Sequence, residues 1–598
     1  MLIEQRIGAH LTVHGCFFRV WAPHAEAVRV LLQRGHEWRA GVPQQTHSLS
    51  KSADGYFSGI ITQVRAGDLY RFEIDSFGTT SQRLDPAARD VVNSALTRHD
   101  NGSNNAGVVV DNKPYPWVPF QTPSFENFLI YQFHVGSFAG RHDHLNKPIA
   151  TFADVETKLP YIRELGFNAV QPLPVHEFAL DRSWGYNPAS FFALESAYGT
   201  PSDLKHFVNA AHEHGLAVIF DVVYNHAGPG DSVLWEYDGY TAEGGIYFEG
   251  GQQTPWGRGP AWWKHEVQDF FYQNARMYLE DYRADGLRFD ATTLINGNHL
   301  RQVLWRLRED FSDRYLIAEH LPAHPWVTTL GNFNATWNSE THHQTQRALA
   351  GDRPVERVAG IVGRGAFEHS WNLVNYPLGS HDDCGDDHNG NAQDGLANWD
   401  SRHRYLIDLL GGRHSAEARA KCRMAWLLGV TMPGTPMCFM GSECLLASPH
   451  VAWGYWHDGI DQWGDHRFNW AIAGDEIGLA MRALVGDANR LRWEHPALRS
   501  DDIRVVQFDK QHHVLAFVRE FFDDCVMAVF HFGGEPRSGY VLPTQCGRGA
   551  WHELLSTQHT SYGGDYPGAA QPIETSDAGE LTLHLPAWSA SVWQLTRG

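Results

Sequence analysis

The period of the hydrophobic positions changes twice along the chain. Up to about residue 115, apolar residues come in short β-rich runs between turn formers: CFFRVWAP at 16–23, VRVL at 28–31, DGYF at 54–57 and DLYRFEI at 68–74. That spacing predicts a β-sandwich. An Asn-, Gly- and Pro-rich tract at 101–117 reads as a linker. In the middle of the chain, a helical pattern ends at Gly three times and a nearly continuous apolar strand begins. Thr200 can cap one such helix, Pro201 suits its first turn, and Asp203 can answer the exposed amides. Leu204, Phe207, Val208 and Ala211 then recur at helical spacing, Gly215 closes the helix, and 216–221 is the strand. The same order recurs at 161–166 followed by 167–173, and at 267–282 followed by Gly286 and 287–290.

Continuously apolar strands alternating with helices mean a parallel sheet covered on both faces. Further strands are predicted at 129–135, 315–318, 333–337, 373–379 and 435–440, which brings the count to eight. Eight fits a closed (β/α)8 TIM barrel better than an open sheet. Beyond about 500, short strands return at 513–518, 526–532, 581–586 and 589–595. The expected fold class is therefore α/β: a (β/α)8 barrel at 116–498, an N-terminal β-sandwich at 1–115 and a C-terminal β-domain at 499–598.

Composition narrows the function. The 48 Lys and Arg face 69 Asp and Glu, a net charge of −21. With no long basic run, nucleic acid and anionic lipid are not expected partners. The 43% of hydrophobic residues is the globular norm. No stretch nears the roughly 20 apolar residues of a membrane span. Residues 1–10 lack the basic and apolar blocks of a signal peptide. The seven cysteines are scattered, odd in number and without a CxxC, which argues against a disulfide framework or zinc ribbon and for a reduced, cytoplasmic compartment. Aromatic residues make up 13% of the chain, enough to serve both cores and sugar-stacking surfaces.

The predicted strands end in polar residues: Asp221 with His226 beyond it, Asp290, Glu319, and His381 with Asp382. A barrel builds its active site at the C-terminal ends of its strands. Three carboxylates gathered there, Asp290, Glu319 and Asp382, repel one another, a cost usually accepted for function. The motifs are DVVYNH at 221–226, GLRFD at 286–290, IAE at 317–319 and SHD at 380–382. In this order, with Arg288 two residues before Asp290, they resemble the four signature regions of the α-amylase superfamily, glycoside hydrolase family 13. FRVWAP at 18–23 resembles the opening of the glucan-binding β-sandwich that precedes the barrel in branching and debranching members.

The resemblance implies a retaining enzyme on an α-glucan or maltooligosaccharide substrate, with no cofactor and no metal. It implies Asp290 as nucleophile, kept ionised by Arg288, and Glu319 as acid and base. Asp382 would bind sugar hydroxyls and stabilise the transition state. His226 and His381 would donate hydrogen bonds to the same ring, and Tyr186, in WGYNP at 184–188, would be the stacking platform. Asn225 and Asp221 complete the substrate-binding set. Asp221 could equally be structural, holding Arg288, and Tyr186 could be ordinary core packing. The acidic run at 382–395 could hold calcium but lacks the closing Glu of an EF-hand. No Walker lysine motif and no nucleophile elbow occur.

Hydrolysis and transfer use the same glycosyl-enzyme, so the choice between them stays open. TMPGTPMCFMGSE at 431–443 and RLRWEHPAL at 490–498 are similar to branching members, and WNSETHH at 337–343 resembles trehalose-releasing members. The expectation is a branching transferase first, a trehalose-releasing or amylase-type hydrolase second, and a non-catalytic glucan-binding protein last.

Overall fold

A computed structural model describes residues 2–36, 38, 45–92, 106–111, 113–178, 183–227, 232–385, 405–447, 460–461, 464–465 and 467–597. Residues 101–105 of the expected linker and 386–395 of the acidic run lie outside them.

Eight parallel strands close into a barrel: β1 (Ile130–Phe133), β2 (Ala169–Pro172), β3 (Ala217–Val222), β4 (Gly286–Phe289), β5 (Tyr315–Ala318), β6 (Ala335–Asn338), β7 (Leu373–Asn375) and β8 (Thr435–Phe439), with β8 pairing back onto β1. Side chains alternate across each strand, so every second residue faces the barrel axis. Ile130, Ala169, Ala217, Ile219, Ile317, Ala335, Trp337, Val374 and Met437 pack together as the interior, which Phe125 and Phe128 close below β1. This alternation also places the polar ends. Ile219 precedes Asp221 by two residues, Gly286 precedes Arg288, and Ile317 precedes Glu319, so each polar group continues an inward-facing row. Gly286 is required at the start of β4, because a Cβ there would come 2.7 Å from the Tyr315 carbonyl oxygen of β5.

Strand ends differ from expectation where side chains distant in sequence take over backbone amides. β1 stops at Phe133 because the His134 amide turns to the Met440 sulfur at 3.4 Å and the chain enters the helical turn Val135–Phe138. β7 stops at Asn375: the Tyr376 amide bonds the Thr341 hydroxyl at 3.1 Å, Pro377 has no N–H, and Gly379 takes φ +102°. The long helix after β3 is α-helical over His265–Arg276 and π-helical over Met277–Asp281. Two antiparallel hairpins leave the barrel unannounced by periodicity: His176–Phe178 with Pro188–Leu194 after β2, and Gln253–Thr254 with Gly257–Arg258 after β3.

The N-terminal strands form two antiparallel sheets, one holding Gly15–Trp21 and the other Ala27–Gln33 and Leu69–Ser76. Phe18 meets Tyr70 and Phe72 between them at 5.3 and 6.4 Å, ring centre to ring centre. At the other end a six-stranded sheet including Val514–Phe521, Asp524–His531 and Ser589–Thr596 packs on the pair Arg537–Pro543 and Glu580–Leu585. Val518, Met527, Trp551, Leu583 and Trp593 fill that core. No described helix is long and apolar enough to cross a membrane.

The helix Pro201–Glu213 begins with a reciprocal cap: the Asp203 amide donates to Thr200 Oγ1 at 3.3 Å, and the Thr200 amide donates to Asp203 Oδ2 at 2.8 Å. Thr200→Ala removes that acceptor and is expected to cost about 1 kcal/mol in urea unfolding. An unchanged midpoint would show that packing alone sets this helix start.

Candidate active site

Arg288 lies at the centre of the barrel mouth with no exposure to solvent. Its Nη1 donates to both oxygens of Asp221, at 2.7 and 2.8 Å, and to Asp290 Oδ1 at 2.9 Å. Its Nη2 lies 2.7 Å from Glu319 Oε2. The guanidinium stands 4.3 Å from the centre of the Trp337 ring, a cation–π arrangement. One cation thus serves three carboxylates from β3, β5 and the end of β4. Asp221 therefore holds Arg288, as the structural alternative anticipated.

The second oxygen of Asp290 is held too, accepting from Asn225 Nδ2 at 2.7 Å, and the same amide donates to the Asp290 carbonyl at 3.0 Å. After Asp290 the backbone turns left-handed at Ala291, φ +37°. A non-Gly residue there is strained, a common feature of functional sites. The turn aims the Ala291 amide at Glu319 Oε2, 2.8 Å away. Thr292 adds two bonds to the Glu319 carbonyl, from its amide and its hydroxyl, both at 2.9 Å. The two candidate catalytic carboxyls are thereby fixed against one another by one guanidinium and one turn.

Tyr186 comes from the hairpin after β2. Its hydroxyl donates to Asp221 Oδ2 at 2.7 Å, and its ring is stacked with His381, 5.0 Å between centres and 8° between planes. His226 Nε2 sits 2.9 Å from the Tyr186 carbonyl, and its Nδ1 meets the Asn225 side chain. His381 is buried; its Nε2 lies 3.1 Å from Asp382 Oδ1, and its Nδ1 lies 3.1 Å from Gln132 Nε2. Asp382, on the helical turn His381–Gly385, is the exposed member of the set, its side chain 54% accessible. Asp383 caps that turn, accepting from the Ser380 amide at 2.9 Å and its hydroxyl at 3.0 Å. All nine sequence-predicted residues thus fall in one linked cluster.

Burial raises the Asp221 and Asp290 carboxyls, with Arg288 pulling both back down. At Asp290 burial outweighs the guanidinium, a larger effect than the sequence reading allowed. Glu319 is pushed up to about 7, first by burial and then, against the pull of Arg288, by the charges of Asp290 and Asp382. Burial lowers His226 to about 4. His381 goes the other way: burial lowers it, but the adjacent Asp382 charge and hydrogen bond prevail. A carboxyl raised to about 7 beside a second carboxyl, both held by one guanidinium, suits an acid/base and nucleophile pair on a sugar.

Sequence reasoning missed three supporting residues. Gln132 accepts the His381 amide at 3.2 Å as well as meeting its ring. Trp337 faces Arg288, and Trp184 meets the His381 ring edge-on at 5.3 Å. Gln132 was legible in principle, as a polar residue two places after inward-facing Ile130. The two indoles look like core residues by composition alone.

Residues 6–88 match carbohydrate-binding module 48, described as an isoamylase N-terminal domain; 137–242 match the α-amylase catalytic domain; and 505–596 match the α-amylase C-terminal all-β domain. A 1,4-α-glucan branching enzyme of Oleidesulfovibrio alaskensis is 28% identical over 95% of this chain and 90% of its own. A malto-oligosyltrehalose trehalohydrolase of Deinococcus radiodurans is also 28% identical, over 73% of this chain and 69% of its own. Among solved structures, a putative α-amylase from Salmonella typhimurium superposes with a TM-score of 0.74 at 23% identity over 99% of both chains. A pullulanase from an Anoxybacillus species superposes at 0.76, with 19% identity over 99% of this chain and 88% of its own.

Arg288→Met would leave three buried carboxyls facing an uncharged side chain. Removing one partner of a buried ion cluster is expected to cost about 3–5 kcal/mol, measured by urea unfolding. A loss under about 1 kcal/mol would mean that the carboxyls simply take up protons and need no counter-ion.

Proposed function

The chain is an α-glucan-active enzyme of the α-amylase family, and from that premise we propose that it is a 1,4-α-glucan branching enzyme. The observation that carries this reading is extent: the likeness to branching enzymes runs through 95% of the chain and includes the N-terminal module, whereas the trehalohydrolase match covers 73%.

In this proposal an Asp290 oxygen attacks the anomeric carbon of an α-1,4-linked glucose. Glu319 gives its proton to the departing 4-oxygen, and a covalent glycosyl-Asp290 forms. The released chain end leaves, and the 6-hydroxyl of an acceptor glucan takes its place. Glu319, now a carboxylate, removes that hydroxyl's proton while the oxygen attacks the anomeric carbon, giving an α-1,6 bond and freeing Asp290. Arg288 positions both groups. In the first step negative charge leaves Asp290, bonded to Nη1, and appears on Glu319, beside Nη2. The guanidinium need not move to follow it, which is electrostatic preorganisation. Asp382, the exposed carboxylate, takes the sugar hydroxyls, with His381 and the half-buried Tyr186 beside it as binding surface. Asn225 holds Asp290, and His226, bonded to the Tyr186 carbonyl, holds the platform while bordering the substrate.

The test of the reaction is proton NMR on amylose, with maltooligosyl-trehalose in parallel. A new α-1,6 anomeric signal with little gain in reducing ends is expected. Free trehalose, or new reducing ends alone, would replace branching by one of the hydrolytic readings. Asp290→Ala is expected to abolish turnover while leaving the fold intact by circular dichroism, and retained activity would remove the nucleophile assignment.

The state of Glu319 gives a pH dependence. As the acid it must hold its proton in the free enzyme, so kcat/KM for glucan is expected to fall roughly tenfold per pH unit above about 7. A glycosyl fluoride, whose leaving group needs no proton, should lack that alkaline limb in its first step. The same limb with both donors would assign it to another group.

A further inference from the structure

Two cysteines of the C-terminal β-domain face one another. Cys525 lies on the strand Asp524–His531, and Cys546 lies on the turn between Arg537–Pro543 and Ala550–Ser556. Their sulfurs and a Glu520 carboxylate oxygen are all within 4.8 Å of one another. The other six cysteines, Cys525 included, are buried, and Cys546 is partly open to solvent. Its turn has the left-handed residues Gln545 and Gly547 on either side, at φ +56° and +85°. The pair joins one thiol fixed in a sheet to one on an exposed turn.

Two readings of this cluster compete. Three donors of soft and hard type could begin a zinc site, which wants four ligands in a tetrahedron. The surroundings oppose a cation. Arg504 Nη2 already lies 3.4 Å from Cys546 Sγ and 3.2 Å from Glu520 Oε2, and Arg597 Nη2 lies 3.3 Å from Glu520 Oε1. Two guanidinium groups thus already bond two of the three donors. What they favour is a thiolate on Cys546.

We propose that Cys525 and Cys546 are a reversible thiol–disulfide pair, oxidised by a low-molecular-weight disulfide. Cys546, as thiolate, attacks one sulfur of the oxidant R–S–S–R, forming Cys546–S–S–R and releasing RS⁻. Cys525 then loses its proton to solvent and attacks the Cys546 sulfur. The internal disulfide forms and the second RS⁻ leaves. Two thiols are oxidised, one oxidant disulfide is reduced to two thiols, and the protons lost by the cysteines are taken up by the two RS⁻.

The order of attack follows from the contacts. A hydrogen bond from Cys525 lowers Cys546, with Arg504 assisting against burial and the Glu520 charge. As a thiol, Cys546 donates to the Thr544 carbonyl at 3.0 Å. Cys525 is raised, first by its bond to Cys546 and then by burial and Glu520. Once Cys546 is capped as a mixed disulfide, the largest of those restraints is gone and Cys525 can resolve it. In a reducing compartment such pairs serve as transient redox sites rather than as framework disulfides. The proposal is independent of the reaction assigned to the barrel.

The test uses the full chain incubated with oxidised glutathione, alkylated, and mapped by peptide mass spectrometry without reduction. The expected result is a Cys525–Cys546 linked peptide pair, two fewer titratable thiols, and full reversal by dithiothreitol. Cys525→Ser should stop at glutathione on Cys546, and Cys546→Ser should leave Cys525 unmodified. Wild-type protein that keeps both thiols, or that stops at the mixed disulfide, overturns the pair whatever the variants do. Stoichiometric retention of added Zn2+ by wild type, lost in Cys546→Ser, would overturn it in favour of a metal site.

Discussion

A guanidinium removed from water inside a barrel cannot be left without anions, and the mouth of this barrel is arranged around that constraint. Arg288 has no exposure, and Asp221, Asp290 and Glu319 converge on it from three consecutive strands. Each charge carries a desolvation penalty that only close, well-directed partners offset. One cation cannot neutralise three carboxylates. Asp221 has both oxygens bonded to Arg288 and a further bond from Tyr186. Burial raises all three carboxyls against the pull of Arg288, and Glu319, raised further by the Asp290 and Asp382 charges, reaches about 7. In the proposed mechanism the proton that acid catalysis requires is thus a consequence first of burial and then of the neighbouring charges, rather than a property of Glu319 alone.

The rest of the site keeps that centre still. Asn225 and the Ala291 turn hold the two candidate catalytic carboxyls from outside the ion cluster. Gln132 and Asp382 hold His381, and His381 supports the ring of Tyr186. The contacts run through β1, β3, β4 and β5 and the segments that follow β2 and β7. No single supersecondary unit contains them. The site therefore forms only when these segments come together in the closed barrel.

What could be read from the sequence follows the range of the forces involved. All eight barrel strands were legible because each is a local apolar run, and the Thr200 cap was legible because its two partners are three residues apart. The motif residues were legible because each ends such a run. The missing features have long-range causes. The β7 strand ends where Thr341, 35 residues away in sequence, captures the Tyr376 amide. Gln132 meets His381 across 249 residues. Nothing local at Trp337 distinguishes a core indole from one that faces a cation. The rise at Asp290 was misjudged for a related reason: sequence shows the neighbour Arg288 but not the burial that opposes it.

The charged centre also explains why it cannot by itself decide between transfer and hydrolysis. In the proposed mechanism, once the glycosyl-enzyme forms, the group that matters is an ionised Glu319 beside Arg288, and it would deprotonate water or a sugar hydroxyl by the same geometry. Discrimination must come from surfaces that exclude one acceptor and hold the other, and those lie outside the ion cluster. In the proposed mechanism the two hairpins that leave the barrel after β2 and β3 would supply such surfaces. One delivers Tyr186 to the site; the other carries Trp256, 63% exposed and 5.8 Å from the His226 ring. An indole left in water at the edge of a buried polar site gives an apolar face that a sugar ring can cover and a water molecule cannot. In that mechanism, reaction chemistry and acceptor choice would fall to different layers of the fold. The strands fix the first, and the hairpins can vary the second without disturbing the arginine on which the carboxylates depend.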